Sequence, residues 1–282
     1  MHTTPPTKTR FEPTEIALET FLLHDHHGEG TGPVSVGLNT MLIRAAEPVI
    51  VDTGVAENQD QYLEDVFSLV EPDDIRWVFI SHDDVDHTGN LNALMAAAPN
   101  ATLVIDWFMQ ERMGATLDVT PDRWRWVGDG DTLDVGDRTL HMVRPPVYDS
   151  PTTRGLFDPT TRVYWGSDAF ASPMAAPVRG VAELDAAEWV DGLHTFARYV
   201  SPWLTLVDDV RYQPTIDRIE ALRPAVLAGC HTPVIDGPFV AEALAATRPA
   251  PWVDVPEQPD QSVLDAIVAA LEPEQTERQR AA

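Results

Sequence analysis

The chain has few of the residues that support disulfides, cysteine-ligated clusters or nucleic-acid binding. Cys230 is the single cysteine among 282 residues, which excludes an internal disulfide, a four-cysteine zinc site and an iron–sulfur cluster ligated by this chain alone. The 19 basic residues include one lysine, and 45 acidic residues give a net charge of -26. Such a charge repels nucleic acids and anionic membranes, so we expect neither as a partner.

Long apolar runs are also absent. No segment reaches the roughly 18 consecutive apolar residues that indicate a membrane-spanning helix. The first residues carry charges and prolines where a signal peptide needs an apolar stretch. A hydrophobic content of 44% nevertheless predicts a folded core, and the length suits one large α/β domain. We therefore expect a soluble, cytoplasmic protein.

Strand-like and helical segments alternate along the chain, which predicts a layered sheet sandwich with helices outside. The predicted strands are Ile16–Leu23, Asn39–Val51 with a hairpin at Ala45–Pro48, Trp77–Ile80, Thr102–Ile105, Thr139–Val143, Arg162–Trp165 and Ala225–Ala228. The predicted helices are Asn58–Val70, Asn90–Ala98, Trp107–Met113, Ala186–Tyr199, Gln213–Leu222 and Gln261–Leu271. We expect a flexible arm over residues 1–15, one domain over 16–253, and an acidic, proline-rich segment over 254–282 with a C-terminal helix and a disordered tail.

The densest group of metal-binding residue types is the run His82–His87 (HDDVDH), between a predicted strand and a predicted helix. Alternation along an extended segment would place His82, Asp84 and Asp86 on one side, and the turn into the helix would bring His87 to the same space. Mixed imidazole and carboxylate ligands favour iron or manganese and leave zinc open. The alternative is a solvated acidic loop. Because two histidines bracket the acids directly after an apolar strand, we interpret the run as half of a two-metal site.

Three later residues share the same placement, directly beyond an apolar strand: Asp149, Asp168 and His231. Ligands of open sheets bind beyond the strand ends. A single aspartate there is more often a turn or helix-cap residue, so only the joint pattern favours a shared site.

The block Ser81–Asn90 (SHDDVDHTGN), preceded by Val51–Gly54 (VDTG) and followed by Asp168 and His231, resembles the metallo-β-lactamase superfamily. Hydrolases of that superfamily usually have histidine where this chain has Asp84. A carboxylate there is similar to the diiron domain of flavodiiron proteins and to the stand-alone oxygen-binding diiron proteins. The resemblance covers most of the chain. It implies an α/β fold, the metallo-β-lactamase-like αβ/βα sandwich of two packed mixed sheets with helices outside.

Carried over residue by residue, the resemblance implies two metal positions. The first would be held by His82, Asp84 and Asp149, the second by Asp86, His87 and His231, and Asp168 would bridge them. The family has histidine at the position of Asp149. His141 lies eight residues earlier and would need a shifted strand register to substitute, so we favour Asp149.

The resemblance also implies the cofactor, two metal ions for which iron is favoured and zinc or manganese stays open. Asp84, Asp86, Asp149 and Asp168 carry four negative charges, enough to neutralise two divalent ions. Such a centre should be harder to reduce than one richer in histidine. A site with one metal or none is the alternative.

Two residues are hypothesised to act on a bound molecule. The polar loop His24–Gly30 could lie over the metal site, where His26 would donate a proton or hydrogen bond, although a solvent-exposed loop explains it equally well. Tyr148 could line the pocket, but a packing role explains it equally well. Cys230 is interpreted as a small buried residue.

Three functions remain open. The resemblance implies a dinuclear iron protein that binds or reduces O2 or NO. The flavodiiron branch normally continues into a flavodoxin domain, for which we find no sequence here, so we expect no flavin bound by this chain and a separate electron-donor protein. The first alternative is a metal-dependent hydrolase of an ester, lactone or phosphodiester. The second is a degenerate, non-catalytic metal-binding scaffold. Oxidoreductase and hydrolase chemistry both stay open, as does a homodimer.

Overall fold

The structure is a computed structural model, and it describes residues 9–29, 34–266 and 268–269. Most of the predicted arm and the predicted tail lie outside the described residues. Strand β1 (Thr14–Ala17) begins within the segment 1–15 that was predicted as an arm. Residues 261–266 are helical and exposed.

The strands that follow β1 are short. They are β2 (Thr20–Leu23), β3 (His26–His27), β4 (Val36–Gly37), β5 (Thr40–Ile43), β6 (Val49–Val51), β7 (Trp77–Phe79), β8 (Thr102–Ile105), β9 (Trp124–Trp126), β10 (Thr132–Asp134), β11 (Thr139–Met142), β12 (Leu156–Asp158), β13 (Val163–Trp165), β14 (Val226–Ala228) and β15 (Ile235–Asp236). The α-helices are α1 (Gln59–Leu69), α2 (Val85–Thr88), α3 (Leu91–Ala97), α4 (Trp107–Met113), α5 (Ala186–Val200), α6 (Asp209–Leu222) and α7 (Phe239–Thr247).

The strands form two mixed sheets and one small ribbon. The first sheet has the order β1-β2-β5-β6-β7-β8-β9, and the second has the order β10-β11-β12-β13-β14-β15. The pairs β6–β7, β7–β8, β8–β9 and β13–β14 are parallel, while the other pairs of the two sheets are antiparallel. The ribbon pairs β3 with β4.

Three apolar clusters follow from this layering. Side chains such as Met41, Phe79 and Trp165 fill the space between the two sheets. The outer face of the first sheet packs on α1, α3 and α4, and that of the second sheet packs on α5, α6 and α7. Burial of both faces of each sheet explains why β6, β7, β13 and β14 read as continuous apolar runs. The predicted αβ/βα sandwich is confirmed.

The structure adds β9, β10, β12, β15 and α7, which the sequence analysis did not predict, and it departs from the predicted elements in other places. The predicted strand Ile16–Leu23 is a tight hairpin, which turns at Glu19 with a left-handed φ of 55°. The predicted loop His24–Gly30 contains β3, because its backbone finds a partner in β4. Helix α6 begins at Asp209 rather than Gln213, since Asp208 caps it by accepting from the backbone N–H of Arg211.

Strand register brings the ends of four strands to one edge. Val51 pairs with Phe79 at the carboxyl ends of β6 and β7. Trp165 pairs with Ala228 at the ends of β13 and β14. The residues that follow these four strands therefore meet between the sheets. Among the described residues, no helix is both long and apolar enough to cross a membrane.

Candidate metal centre

Seven side chains predicted from the sequence as ligands lie together at this edge, in two groups that share Asp168. They are His82, Asp84, Asp86, His87, Asp149, Asp168 and His231. That they bind metal remains a prediction. The structure supplies their geometry.

The first group surrounds Nε2 of His82. This nitrogen lies 3.7 Å from Asp84 Oδ2, 3.7 Å from Asp149 Oδ1 and 3.6 Å from Asp168 Oδ2. Three carboxylates thus face one imidazole, so this position is rich in hard oxygen donors.

The second group surrounds the other oxygen of Asp168. Asp168 Oδ1 lies 3.0 Å from Nε2 of His87 and 3.4 Å from Nε2 of His231. Asp86 Oδ2 lies 3.3 Å from His231 Nε2 and 4.0 Å from His87 Nε2. The two oxygens of Asp168 therefore face different histidine sets, as a bridging carboxylate requires.

The three histidines present Nε2 to the centre because their Nδ1 atoms have partners elsewhere. His87 Nδ1 donates to Asp52 Oδ2 at 2.9 Å, and His231 Nδ1 donates to the Gly37 carbonyl at 2.7 Å. His82 Nδ1 lies 3.0 Å from Ser167 Oγ. Metal-binding histidines typically show this outer hydrogen bond, which fixes both ring and tautomer.

Two serine hydroxyls determine whether Nδ1 of His82 donates or accepts a hydrogen bond. Ser81 Oγ donates to Asp52 Oδ2 at 2.7 Å, because an ionised carboxylate can only accept. Ser167 Oγ, 2.8 Å from Ser81 Oγ, must then donate to it, and His82 Nδ1 must donate to Ser167. In the neutral ring, His82 Nε2 then carries no proton, which is the form that binds a cation.

Asp52 supports both ligand loops from a fully buried position. Besides the contacts above, its carboxylate accepts from the Ser81 backbone N–H at 2.6 Å and from Trp165 Nε1 at 3.0 Å. Asp52 and Ser167 have left-handed φ angles of 60° and 57°. Such a conformation in a non-glycine residue costs of order 1 kcal/mol or more, and its presence at both strand ends is typical of a functional site.

Helix α2 places the second half of the His82–His87 run. It begins at Val85, so Asp86 and His87 lie on a helical turn rather than at the end of an extended run, which corrects the predicted alternation. The backbone N–H and the hydroxyl of Thr53 both donate to the His87 carbonyl at 2.8 Å. A Cβ on Gly89 would lie 2.4 Å from Ala56 N, so only glycine allows this close packing.

Asp83 joins the His82 loop to the Asp149 loop. Its Oδ1 accepts from Ser150 Oγ at 2.9 Å and from Thr152 Oγ1 at 2.6 Å, and its Oδ2 pairs with Arg112 Nε. These hydrogen bonds outweigh burial, which acts in the opposite sense, and lower the pKa of Asp83. The tether fixes Asp149 across from His82.

The electrostatics indicate a site that attracts positive charge. Burial, and next the Asp168 carboxylate, raise the pKa of Asp149 to about 6. Although burial acts against it, nearby anionic groups hold the pKa values of His87 and His231 well above the usual range. The imidazoles of His82, His231 and His87 together outweigh burial at Asp168 and hold its pKa well below the usual range.

The donor set fits two metal ions. Within the described part of the chain, no hydrogen bond reaches the buried atoms His82 Nε2, His87 Nε2 and Asp168 Oδ1. Buried polar groups without partners are costly unless something else binds them. A pair of cations between the two groups would satisfy all three atoms at once.

The other predicted residues lie nearby in different settings. His26 is buried on β3 and lines a cavity of about 850 Å³ beside Asp83 and Val85. Its strand pairs with β4, whose Gly37 contacts His231. The Tyr148 ring packs 4.8 Å from that of Trp203.

Tyr148 also contacts a charged side chain. The Arg144 guanidinium lies 5.1 Å from the centre of the Tyr148 ring. The roles of His26 and Tyr148 remain predictions. His141 is exposed on β11, and Asp149 is the residue that lies beside His82.

Sequence reasoning missed the residues that orient the ligands: Asp52, Ser81, Asp83, Ser150 and Ser167. A signal existed for Asp52, which stands in the VDTG turn after an apolar strand. Nothing local marks the serines, because their partners lie on other strands.

A two-sheet sandwich with an acidic, histidine-containing centre at its strand ends defines a metallo-β-lactamase-like protein of the flavodiiron type. A family model described as "ODP family beta lactamase" matches residues 36–231. The match spans more than half of the chain, which therefore belongs to this family.

Similar proteins agree with this assignment. An uncharacterised protein of Methanocaldococcus jannaschii is 25% identical over 66% of this chain and 47% of its own length. A rubredoxin-oxygen oxidoreductase of Megalodesulfovibrio gigas is 24% identical over 72% of this chain and 49% of its own length. The solved flavodiiron protein of Giardia intestinalis has a TM-score of 0.71 at 18% identity, covering 87% of this chain and 60% of that one. The chain spans about half the length of these two curated relatives.

Proposed function

We propose that this centre holds two iron ions and that the protein binds or reduces O2 or NO with electrons from a separate donor protein. The observation that carries the proposal is the position of Asp168, whose two oxygens face two buried ligand groups. Iron bound there would supply the redox chemistry. The name of the rubredoxin-oxygen oxidoreductase supports the choice of O2 and of a protein donor.

Apart from Asp168, which is 4% exposed, the side chains around the centre differ in exposure by type. His82 and His87 are fully buried and His231 is nearly so, whereas the Asp84 side chain is 49% exposed. Asp86 and Asp149 are 24% and 20% exposed. The centre therefore opens on its carboxylate side, and a small molecule would approach past Asp84 while the histidines keep water from the opposite side.

The proposal is tested on the purified chain. We expect about two iron ions per chain by elemental analysis, and consumption of O2 or NO by the chemically reduced protein. The Asp168→Asn variant should lose both properties. A preparation with only zinc, or an iron-loaded and reduced protein that leaves both gases unchanged, would contradict the proposal.

Hydrolysis is the second candidate function, and one observation favours it. A cavity of about 850 Å³ next to the His82–His87 run is far larger than a diatomic gas needs, and it is lined by Asp83 and Val85 of that run but by none of the seven candidate ligands. Its lining includes His26, Asp83 and Arg112. Turnover of simple esters, lactones or phosphodiesters by the zinc- or manganese-loaded protein, absent from the metal-free protein, would place hydrolysis first.

A further inference from the structure

Cys230 lies next to the second ligand group. One atom each from Asp86, His87, His231 and the Cys230 sulfur lie within 4.8 Å of one another. The cysteine is fully buried, and its backbone is fixed by hydrogen bonds from its N–H to the Ser167 carbonyl and from the Asn39 N–H to its carbonyl. The backbone that carries the sulfur is therefore held beside the centre on both sides.

A packing role alone would not require a sulfur. Cys230 also belongs to the apolar cluster between the sheets, where another small apolar residue could fill the same space. A second observation points to a ligand: Nε2 of His87 is fully buried and, although it lies 3.0 Å from Asp168 Oδ1, makes no well-aligned hydrogen bond within the described residues.

We propose that the Cys230 thiolate is a protein ligand of the second metal position, together with Asp86, His87, His231 and the shared Asp168. This inference rests on the proposed two-metal centre. On binding, the sulfur–metal bond forms and the thiol proton passes to solvent, so metal uptake releases one proton more than with an alanine at this position.

A sulfur ligand makes the two positions chemically different. His82, Asp84 and Asp149 offer mostly oxygen donors to the first position, which suits harder ions. The second position combines two imidazoles with a thiolate, which favours softer ions such as zinc, cobalt or ferrous iron. We expect the second position to bind cobalt or zinc more tightly than the first.

Cobalt(II) is the probe that tests this inference, because a thiolate bound to cobalt gives an intense near-ultraviolet charge-transfer band. We expect the band in the cobalt-loaded wild-type protein and its loss in Cys230→Ser. The matched control is Asp149→Asn, which alters the first position and should keep the band. Wild-type protein that binds two cobalt ions without the band would overturn the inference.

A second measurement needs no variant. X-ray absorption of the zinc-loaded wild-type protein should show one sulfur neighbour at about 2.3 Å from zinc. Since the chain has one cysteine, a thiolate at this distance is Cys230. Zinc bound with only nitrogen and oxygen neighbours would reject the sulfur ligand and leave the two-metal proposal standing, whereas a chain that binds none of zinc, cobalt and iron would reject both.

Discussion

The Ser150 hydroxyl donates to the Asp83 carboxylate at 2.9 Å, although the two residues are separated by 67 positions. Asp83 precedes Asp84 and Ser150 follows Asp149. One hydrogen bond therefore links the two loops that carry Asp84 and Asp149, the carboxylates of the proposed first metal position.

Replacing Asp83 should disturb the first position selectively. In Asp83→Ala, Ser150 and Thr152 lose their acceptor, so Asp149 is less well held and affinity at the first position should fall about 10-fold or more. Calorimetric cobalt titration, which resolves two binding events, measures this. Arg112→Met is the control, because Arg112 is partly exposed and its ion pair contributes about 1 kcal/mol or less. Equal weakening of both events would contradict a local tether.

Removing the bridging charge should affect both positions. Asp168→Asn deletes the negative charge that faces His82, His87 and His231. We expect metal content to fall from about two ions per chain to less than one, measured by elemental analysis after loading and desalting. Asp236→Asn, at an exposed aspartate, should retain the full content. Two ions retained by Asp168→Asn would exclude a bridging role.

The hydroxyl chain at His82 predicts a second selective effect. Ser167→Ala removes the acceptor of His82 Nδ1, so the ring can carry its proton on Nε2 and turn away from the centre. The affinity of the first position for cobalt should fall about 10- to 100-fold, and calorimetric cobalt titration measures this change. Ser172→Ala, which removes a buried hydroxyl bonded to the Trp189 carbonyl, is the control for lost packing. An unchanged first event would show that Ser167 does not orient the ring.

Substitutions of Asp149 distinguish a first position that binds metal from a degenerate one that does not. Asp149→Ala should lose the ion of the first position and keep the second, because Asp149 contacts only the His82 group. Asp149→His should retain both ions and shift the reduction midpoint upwards, since one negative charge is lost. Iron analysis and a redox titration measure the two effects. A large gain of iron in Asp149→His over wild type would instead indicate a degenerate site.

His24 predicts a stability change with pH. Burial, followed by the charges of His26 and Arg179, lowers the pKa of His24 to about 4, below its unfolded value of 6.5. The unfolded chain therefore binds the proton first. His24 costs the fold nothing above about pH 6.5, and stability decreases as the pH falls towards 4, by up to about 3 kcal/mol.

The measurement is urea unfolding of the metal-free protein from pH 7 to pH 4. His24→Gln should show a shallower loss of unfolding free energy than wild type. His141→Gln, at an exposed histidine, should follow the wild-type curve. Parallel curves for wild type and His24→Gln would contradict the depressed pKa.

The sequence alone determined a layered sheet sandwich with helices outside and the grouping of residue types at strand ends, because both follow from local periodicity. The family resemblance supplied the αβ/βα arrangement. Strands such as Thr102–Ile105 and helices such as Trp107–Met113 match their predicted bounds. The run His82–His87 could be recognised because its members are close in the chain.

The tertiary structure decided how those residues are oriented. Asp52 reaches Trp165 across 113 positions, and Ser81 reaches Ser167 across 86. Such pairs depend on which strand ends meet between the two sheets. The periodicity of the sequence does not specify this arrangement. Helix α2 likewise begins earlier than alternation predicts, because its His87 carbonyl is bound by Thr53 from another strand end. Local patterns specify elements and ligand types, whereas the choice of which nitrogen and which oxygen face the centre depends on long-range hydrogen bonds.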